Sequence, residues 1–202
     1  TLVDTGISLD AVKDNWRMLL ASHRLKRQIV THCHPDHFGL AAWLEQEHGA
    51  PLWMSQGEFA FGQLLRAGIG SFSIRAMADL YRWHGLDAGR LTALEARGNA
   101  FARGVPDMPQ TFRRILDGER IAIGGRDWRV IVGYGHAPEH VSLYCEELAV
   151  LISGDMLLPR ITSNVSVLAP NPDGNPLALF LDSIESFRRL PEDTLVLPSH
   201  GA

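Results

Sequence analysis

The 202-residue chain is 46% hydrophobic and 21% charged, with a formal net charge of -4 and a pI near 6.1. This length suits one well-buried domain, and the composition excludes a disordered tail. No apolar run approaches the roughly 20 residues of a membrane span, and the acidic balance argues against a surface built to neutralise phosphate backbone. We therefore expect a single domain over residues 1–202 that acts on a small molecule, with no nucleic acid or membrane as partner and no oligomeric state assigned. Cys33 and Cys145 are the only cysteines, which excludes a disulfide framework and fits a cytoplasmic location. The chain opens on "TLVDTG" without a methionine and stops at "LVLPSHGA", so both ends are expected to lie inside a longer domain.

In chain order, Leu2 and Val3 lead into Asp4, Thr5 and Gly6 as a strand and turn. Leu9, Val12, Trp16, Leu19 and Leu20 then recur at helical spacing, with Ser8 as the expected N-cap. "RQIVTH" is a short strand. Pro35 suits a first helical turn, with Leu40, Trp43 and Leu44 as the apolar face behind it. "APLWM" is the next strand, and the alternation of strands and helices predicts an α/β layered fold.

Residues 57–105 break this rhythm. They are rich in Leu, Ala and Arg, and they are read as an insertion of two or three helices. From "ERIAIGGRDWRVIVGYG" the pattern turns to β, with a hairpin at Gly124 and Gly125, followed by "VSLYCEE" and "LAVLISGD". A last helix starts at Asn175 and Pro176 with Leu177, Phe180, Ile184 and Phe187 on one face, and "TLVLPSH" closes the chain.

The chemistry-bearing residues gather where the expected strands end. His32, His34, Asp36 and His37 follow "QIV", His136 and His140 follow "RVIVGYG", Asp155 follows "VLISG", and His200 follows "LVLPS". Carboxyl ends of strands converge on one sheet edge, where open α/β folds place their sites. Imidazole and carboxylate donors suit zinc, iron or manganese, and the absence of clustered cysteines argues against a closed structural zinc site. Alternation along an extended stretch sends His32 and His34 to one side and Cys33 elsewhere. Asp36 and His37 begin the next turn, where they can face a second ion, and Asp155 can bridge the two cations.

Other residues are weighed against packing. Cys33 and Cys145 are expected to be core, and His23, His48, Arg113 and Arg114 to be solvated surface. Tyr81, Trp83 and His84 are candidate pocket residues in the inserted helices. Arg160, Ser163 and Asn164 are the better candidates for substrate contact, because their loop should pass the ions.

"VDTG", "THCHPDHFG", "GYGHAPEHVSLY", "LISGDMLLP" and "LPSHG", in this order, resemble the metallo-β-lactamase superfamily over essentially the whole chain apart from the helical insertion. The resemblance implies an αββα four-layer sandwich of two mixed sheets. It further implies a metal-dependent hydrolase with His32, His34 and His136 on one ion and Asp36, His37 and His200 on the other. Asp155 and a hydroxide would bridge the ions, two divalent metals with zinc first. Asp4 would support the ligands from behind, as would His140 in preference to its other reading as an alternative ligand, and Asp36 and Asp155 would serve catalysis.

True β-lactamases carry cysteine or serine at the Asp155 position, and flavodiiron oxidoreductases carry glutamate at that of His34. Lactonases that quench quorum signals carry a tyrosine soon after the aspartate, where Met156, Leu157 and Leu158 stand. The glyoxalase II and thioesterase-like branch fits best, implying cleavage of a thioester, ester or lactone. The rival reading is a mononuclear iron persulfide dioxygenase-like oxidoreductase; β-lactamase and nuclease stand behind both.

Overall fold

In the computed structural model, which describes residues 1–201, the short apolar runs become two stacked sheets. Strands β1 (Leu2–Val3), β2 (Gln28–Ile29), β3 (Leu52–Met54) and β4 (Arg113–Arg114) pair in that order, all parallel. Strands β5 (Arg120–Ile123), β6 (Arg126–Gly133), β7 (His140–Cys145), β8 (Val150–Gly154) and β9 (Leu195–Pro198) form the second sheet. Its pairs are antiparallel except the last, β8 with β9.

Parallel neighbours need crossover connections. Helix α1 (Asp10–Leu20) links β1 to β2, and α2 (Pro35–Phe38) with α3 (Ala41–His48) links β2 to β3. Four helices, α4 (Gln56–Ala67), α5 (Ile74–Trp83), α6 (Ala88–Arg97) and α7 (Ala100–Gly104), lie between β3 and β4, and α8 (Pro176–Glu185) lies between β8 and β9. No helix among the described residues is long and apolar enough to cross a membrane.

Period-two alternation sorts the strand side chains into layers. Ile29, Trp128, Val130, Val141, Leu143 and Cys145 meet between the sheets. The next residue along each strand points outward: Val30 packs with Phe38, Leu52 and Met54 under the helices, and Ile131 and Tyr144 pack with Leu151 and Phe187 under α8. Fully burying each such aliphatic side chain contributes about 1.5–3 kcal/mol. The order of helix, sheet, sheet and helix is the expected αββα sandwich.

Several local expectations are corrected. Helix α1 starts one residue later than a Ser8 cap requires, with Leu9 at the N-cap and no side-chain cap. Trp16 Nε1 donates to Thr5 O at 2.8 Å. This turns Trp16 and Leu20 onto Leu25 and Leu44 and leaves Leu9 and Leu19 exposed. The helix expected from Pro35 is broken at Gly39, where any Cβ would lie 2.7 Å from both Ser8 N and Gly104 O. The inserted segment holds four helices where two or three were expected, because Gly85 and Gly98 take positive φ and end α5 and α6 as separate pieces.

Arg113 and Arg114, expected as plain surface, form edge strand β4. Arg113 stacks on Trp53 at 3.9 Å, and a charged edge of this kind resists pairing with other chains. In α8, Asn175 accepts from Ala178 N as the cap, while Phe180 and Ile184 pack inward and Leu177 is exposed.

Candidate metal centre

The loop after β2 carries His32 and His34, the short helix α2 carries Asp36 and His37, and the ends of β6, β8 and β9 deliver His136, Asp155 and His200 to the same place. The side chains sort into two groups whose ligand atoms lie within 4.8 Å of one another: His32, His34, His136 and Asp155, and Asp36, His37 and His200. Asp155 stands between them. Its Oδ2 is 3.5 Å from His136 Nε2 and 4.0 Å from His32 Nε2, while its Oδ1 is 3.4 Å from both His37 Nε2 and His200 Nε2. His200 Nε2 also lies 3.2 Å from Asp36 Oδ2.

The surrounding hydrogen bonds decide which ring nitrogens are free. Asp4 can only accept. It receives Thr31 N at 2.7 Å, Thr31 Oγ1 at 3.0 Å and His37 Nδ1 at 2.8 Å. Because the Thr31 hydroxyl proton goes to Asp4, Thr31 Oγ1 accepts from His32 Nδ1 at 2.9 Å. His136 Nδ1 donates to Asn164 O at 2.8 Å. The Nε2 atoms of His32, His37 and His136 therefore present lone pairs to the centre.

His32 Nε2 and His136 Nε2 face each other at 3.1 Å, and His34 Nδ1 lies 2.9 Å from His32 Nε2. Two lone pairs aimed at one point repel unless a cation sits between them. Ligand atoms about 2 Å from a tetrahedral ion stand about 3.3 Å apart, close to these separations. The buried His37 Nε2 and Asp155 Oδ1 make no hydrogen bond, which also suits a metal site. The donor set of imidazole and carboxylate fits a divalent ion of the zinc, iron or manganese type.

Burial shapes the protonation of the rings. It pushes His32 well below its ordinary pKa, helped by the neighbouring rings of His140, His37, His34 and His136. Burial likewise lowers His34 to about 4 and lowers His136. At neutral pH these three are uncharged and ready to donate lone pairs. Burial works against a charge on His37 too, but the Asp4 hydrogen bond and the charges of Asp4, Asp155 and Asp36 outweigh it and raise its pKa.

Asp4 reaches Thr31 and His37 through a left-handed backbone, φ +58°, which short polar side chains tolerate best. His140 Nε2 accepts from Asp155 N at 3.1 Å, so its lone pair holds the Asp155 backbone and is not turned to the centre. Gly154 stands between them with φ +54°, and a Cβ there would collide with His140 Nε2. Gly154→Ala is expected to destabilise the metal-free protein by about 2 kcal/mol or more, from the left-handed φ and the overlap. Urea unfolding checks this; unchanged stability would show that the His140 ring yields freely.

One contributor escaped the sequence reading. Glu58 is fully buried, accepting from Cys33 N at 2.9 Å through Oε2 and from Glu139 N at 2.7 Å through Oε1. It thereby ties the His32–His34 stretch to the loop that carries His136. Its one sequence signal is the Ser55-x-x-Glu58 spacing of a capping box. Ser55 Oγ instead donates to Glu139 O at 2.8 Å, and Glu139 Oε2 accepts from Gly57 N at 2.7 Å.

The expected substrate contacts are placed unevenly. Asn164 lines a cavity beside His34 and His136. Ser163 Oγ donates to Asp155 O, and Arg160 is exposed beside Gly201. Tyr81 and His84 line a separate depression with Pro172 that shares only Ser166 and Val167 with that cavity, and Trp83 is exposed. Cys33 and Cys145 are buried and unpaired, as expected of core residues.

The family model of the metallo-beta-lactamase superfamily matches residues 1–200. The crystal structure of a beta-lactamase domain protein from Burkholderia ambifaria superposes with a TM-score of 0.89 and 44% identity, over 98% of this chain and 57% of that one. A Bacillus subtilis protein named probable metallo-hydrolase YqgX is 24% identical over 86% of this chain and 67% of its own length. Hydroxyacylglutathione hydrolase of Rhodospirillum rubrum is 31% identical over half of this chain and 36% of its own. With residues 1–200 matched and its sheets superposing on a solved relative, of which it spans 57%, this chain belongs to the metallo-β-lactamase superfamily.

Proposed function

We propose that the chain cleaves a thioester, ester or lactone with two divalent ions, zinc in first place, one held by His32, His34 and His136 and the other by Asp36, His37 and His200. The observation that carries this reading is Asp155, which turns one carboxylate oxygen toward each group of ligands. The second complete set of donors, Asp36, His37 and His200, favours two ions over the single iron of a dioxygenase. When bound, such ions lower the pKa of water to about 7 and polarise a carbonyl.

The chain's own residues supply position and proton handling. Asp4 and Thr31 keep Nε2 of His32 and His37 free, and the Asn164 carbonyl does the same for His136. His140 holds the Asp155 backbone. Asp36, half-exposed, turns Oδ2 toward His37 and His200, and its other oxygen is the one placed to carry a proton between the centre and solvent. Two buried, unpaired cysteines suit a cytoplasmic setting.

Metal analysis with a panel of thioesters, esters, lactones and phosphodiesters tests the reading. Two ions per chain and turnover of an acyl substrate that a chelator abolishes are expected. Absence of metal and of turnover would sink it, while one iron per chain with oxygen consumption would favour the dioxygenase.

A further inference from the structure

The cavity beside His34 and His136 has a volume of about 290 Å³. Helix α4 contributes Phe61 to its wall, the segment after Asn164 contributes Val167, Leu168 and Pro170, and α8 contributes Pro176 and Leu179. No Lys, Arg, Asp or Glu stands among its described lining residues; the remaining polar groups are hydroxyl and amide side chains, the two histidines and the Cys33 thiol. The α8 wall is held close by Gly135, where a Cβ would lie 2.6 Å from Phe180 Cβ. A second depression at the centre carries the carboxylates that this cavity lacks, with Asp4, Asp36, His37 and His200 beside apolar Val3, Ile152 and Leu197.

The geometry points to an uncharged, apolar acyl chain as the occupant of this cavity, with its carbonyl at His34 and His136 and its leaving group on the Asp36 side. This rests on the hydrolase reading above. A carboxylate pushed into the cavity would leave water and meet no cation on the walls, which is strongly unfavourable. Each added methylene meets Val167, Leu168 or Leu179 and gains up to about fourfold in specificity until the cavity is full. The size lies at the lower end of the roughly 300–1,000 Å³ typical of small-molecule pockets, which suits a short or medium chain.

The test compares kcat/KM for acetyl, butanoyl, hexanoyl and adipoyl thioesters of N-acetylcysteamine, the last carrying a terminal carboxylate at the hexanoyl length. Specificity is expected to rise from acetyl to hexanoyl and to fall by about tenfold or more for adipoyl. Leu179→Lys, at the exposed rim, is expected to narrow the hexanoyl-to-adipoyl ratio by about fivefold. Binding is read separately on the metal-free protein by NMR with hexanamide and adipamate. Hexanamide is expected to shift the signals of Phe61, Val167 and Leu179 at concentrations about tenfold lower. Adipoyl turned over as well as hexanoyl, or no preference for hexanamide at these residues, overturns the inference. Preferential hexanamide binding without turnover of any thioester, ester or lactone would instead uphold the occupant and overturn the hydrolase reading.

Discussion

Asp155→Asn is expected to remove at least one bound ion per chain and to lower kcat/KM by about a thousandfold. The side chain is buried and its two oxygens face different groups of ligands. The amide keeps the volume but loses the negative charge that offsets the repulsion between two cations. Removing two-metal stabilisation of about 4 kcal/mol corresponds to about three powers of ten in rate. Elemental analysis and steady-state kinetics with the best thioester check both parts. A variant that keeps two ions and a rate within tenfold of the parent would show that Asp155 does not couple the two groups.

Glu58→Ala is expected to cost about 4 kcal/mol of stability in the metal-free protein, because it strands the buried N–H groups of Cys33 and Glu139, each at about 1–3 kcal/mol. Glu58→Gln removes the titrating group and keeps one of the two acceptors, at a pH-independent cost for the N–H that then faces the amide nitrogen. Burial raises the Glu58 carboxyl from 4.5 to about 7, against the pull of the hydrogen bonds from Glu139 N and Cys33 N. The folded chain therefore holds a proton that the unfolded chain releases above pH 4.5. Its contribution is fully present below that pH and is lost as the pH rises through about 7.

The shift corresponds to about 3 kcal/mol. The stability of Glu58→Gln relative to the parent should therefore rise between pH 5 and pH 8, which urea unfolding at the two values measures. An unchanged difference would show that the carboxyl is charged throughout. Since the pKa of Cys33 is also raised, by burial first and by Glu58 second, the thiol stays protonated over this range and leaves the comparison clean.

The candidate ligands were legible because imidazole and carboxylate side chains gather at strand ends, and two-residue alternation already sets His32 and His34 together and Cys33 apart. The core of the second sheet was legible for the same reason: Trp128, Val130 and Val132 alternate plainly along β6. Glu58 was not. In sequence it looks like an ordinary acid in the first turn of a helix, and its partners Cys33 and Glu139 lie 25 and 81 residues away.

Strand β4 escaped for a different reason. Two arginines carry no apolar pattern, and their pairing depends on β3 having a free edge. The exposed faces of α1 and α8 show the limit of helical periodicity, which marks an apolar stripe but not which of its residues tertiary contacts will cover. Tyr81 and His84 stand apart from the cavity because α5 packs mainly against α6.

The candidate ligands divide between the sheets: His32, His34, Asp36 and His37 follow a strand of the first, and His136, Asp155 and His200 follow strands of the second. Any ion held by both sets is a clasp across the sandwich, closing one end of a core otherwise held by aliphatic packing. Ion activity and unfolding are then linked, since a site that exists only when the sheets are stacked adds about 2.7 kcal/mol of stability at a hundredfold excess over Kd. The metal-free protein should open first at this end, with amide exchange fastest in the loops around His34 and Asn164 and slowest in β6 and β7.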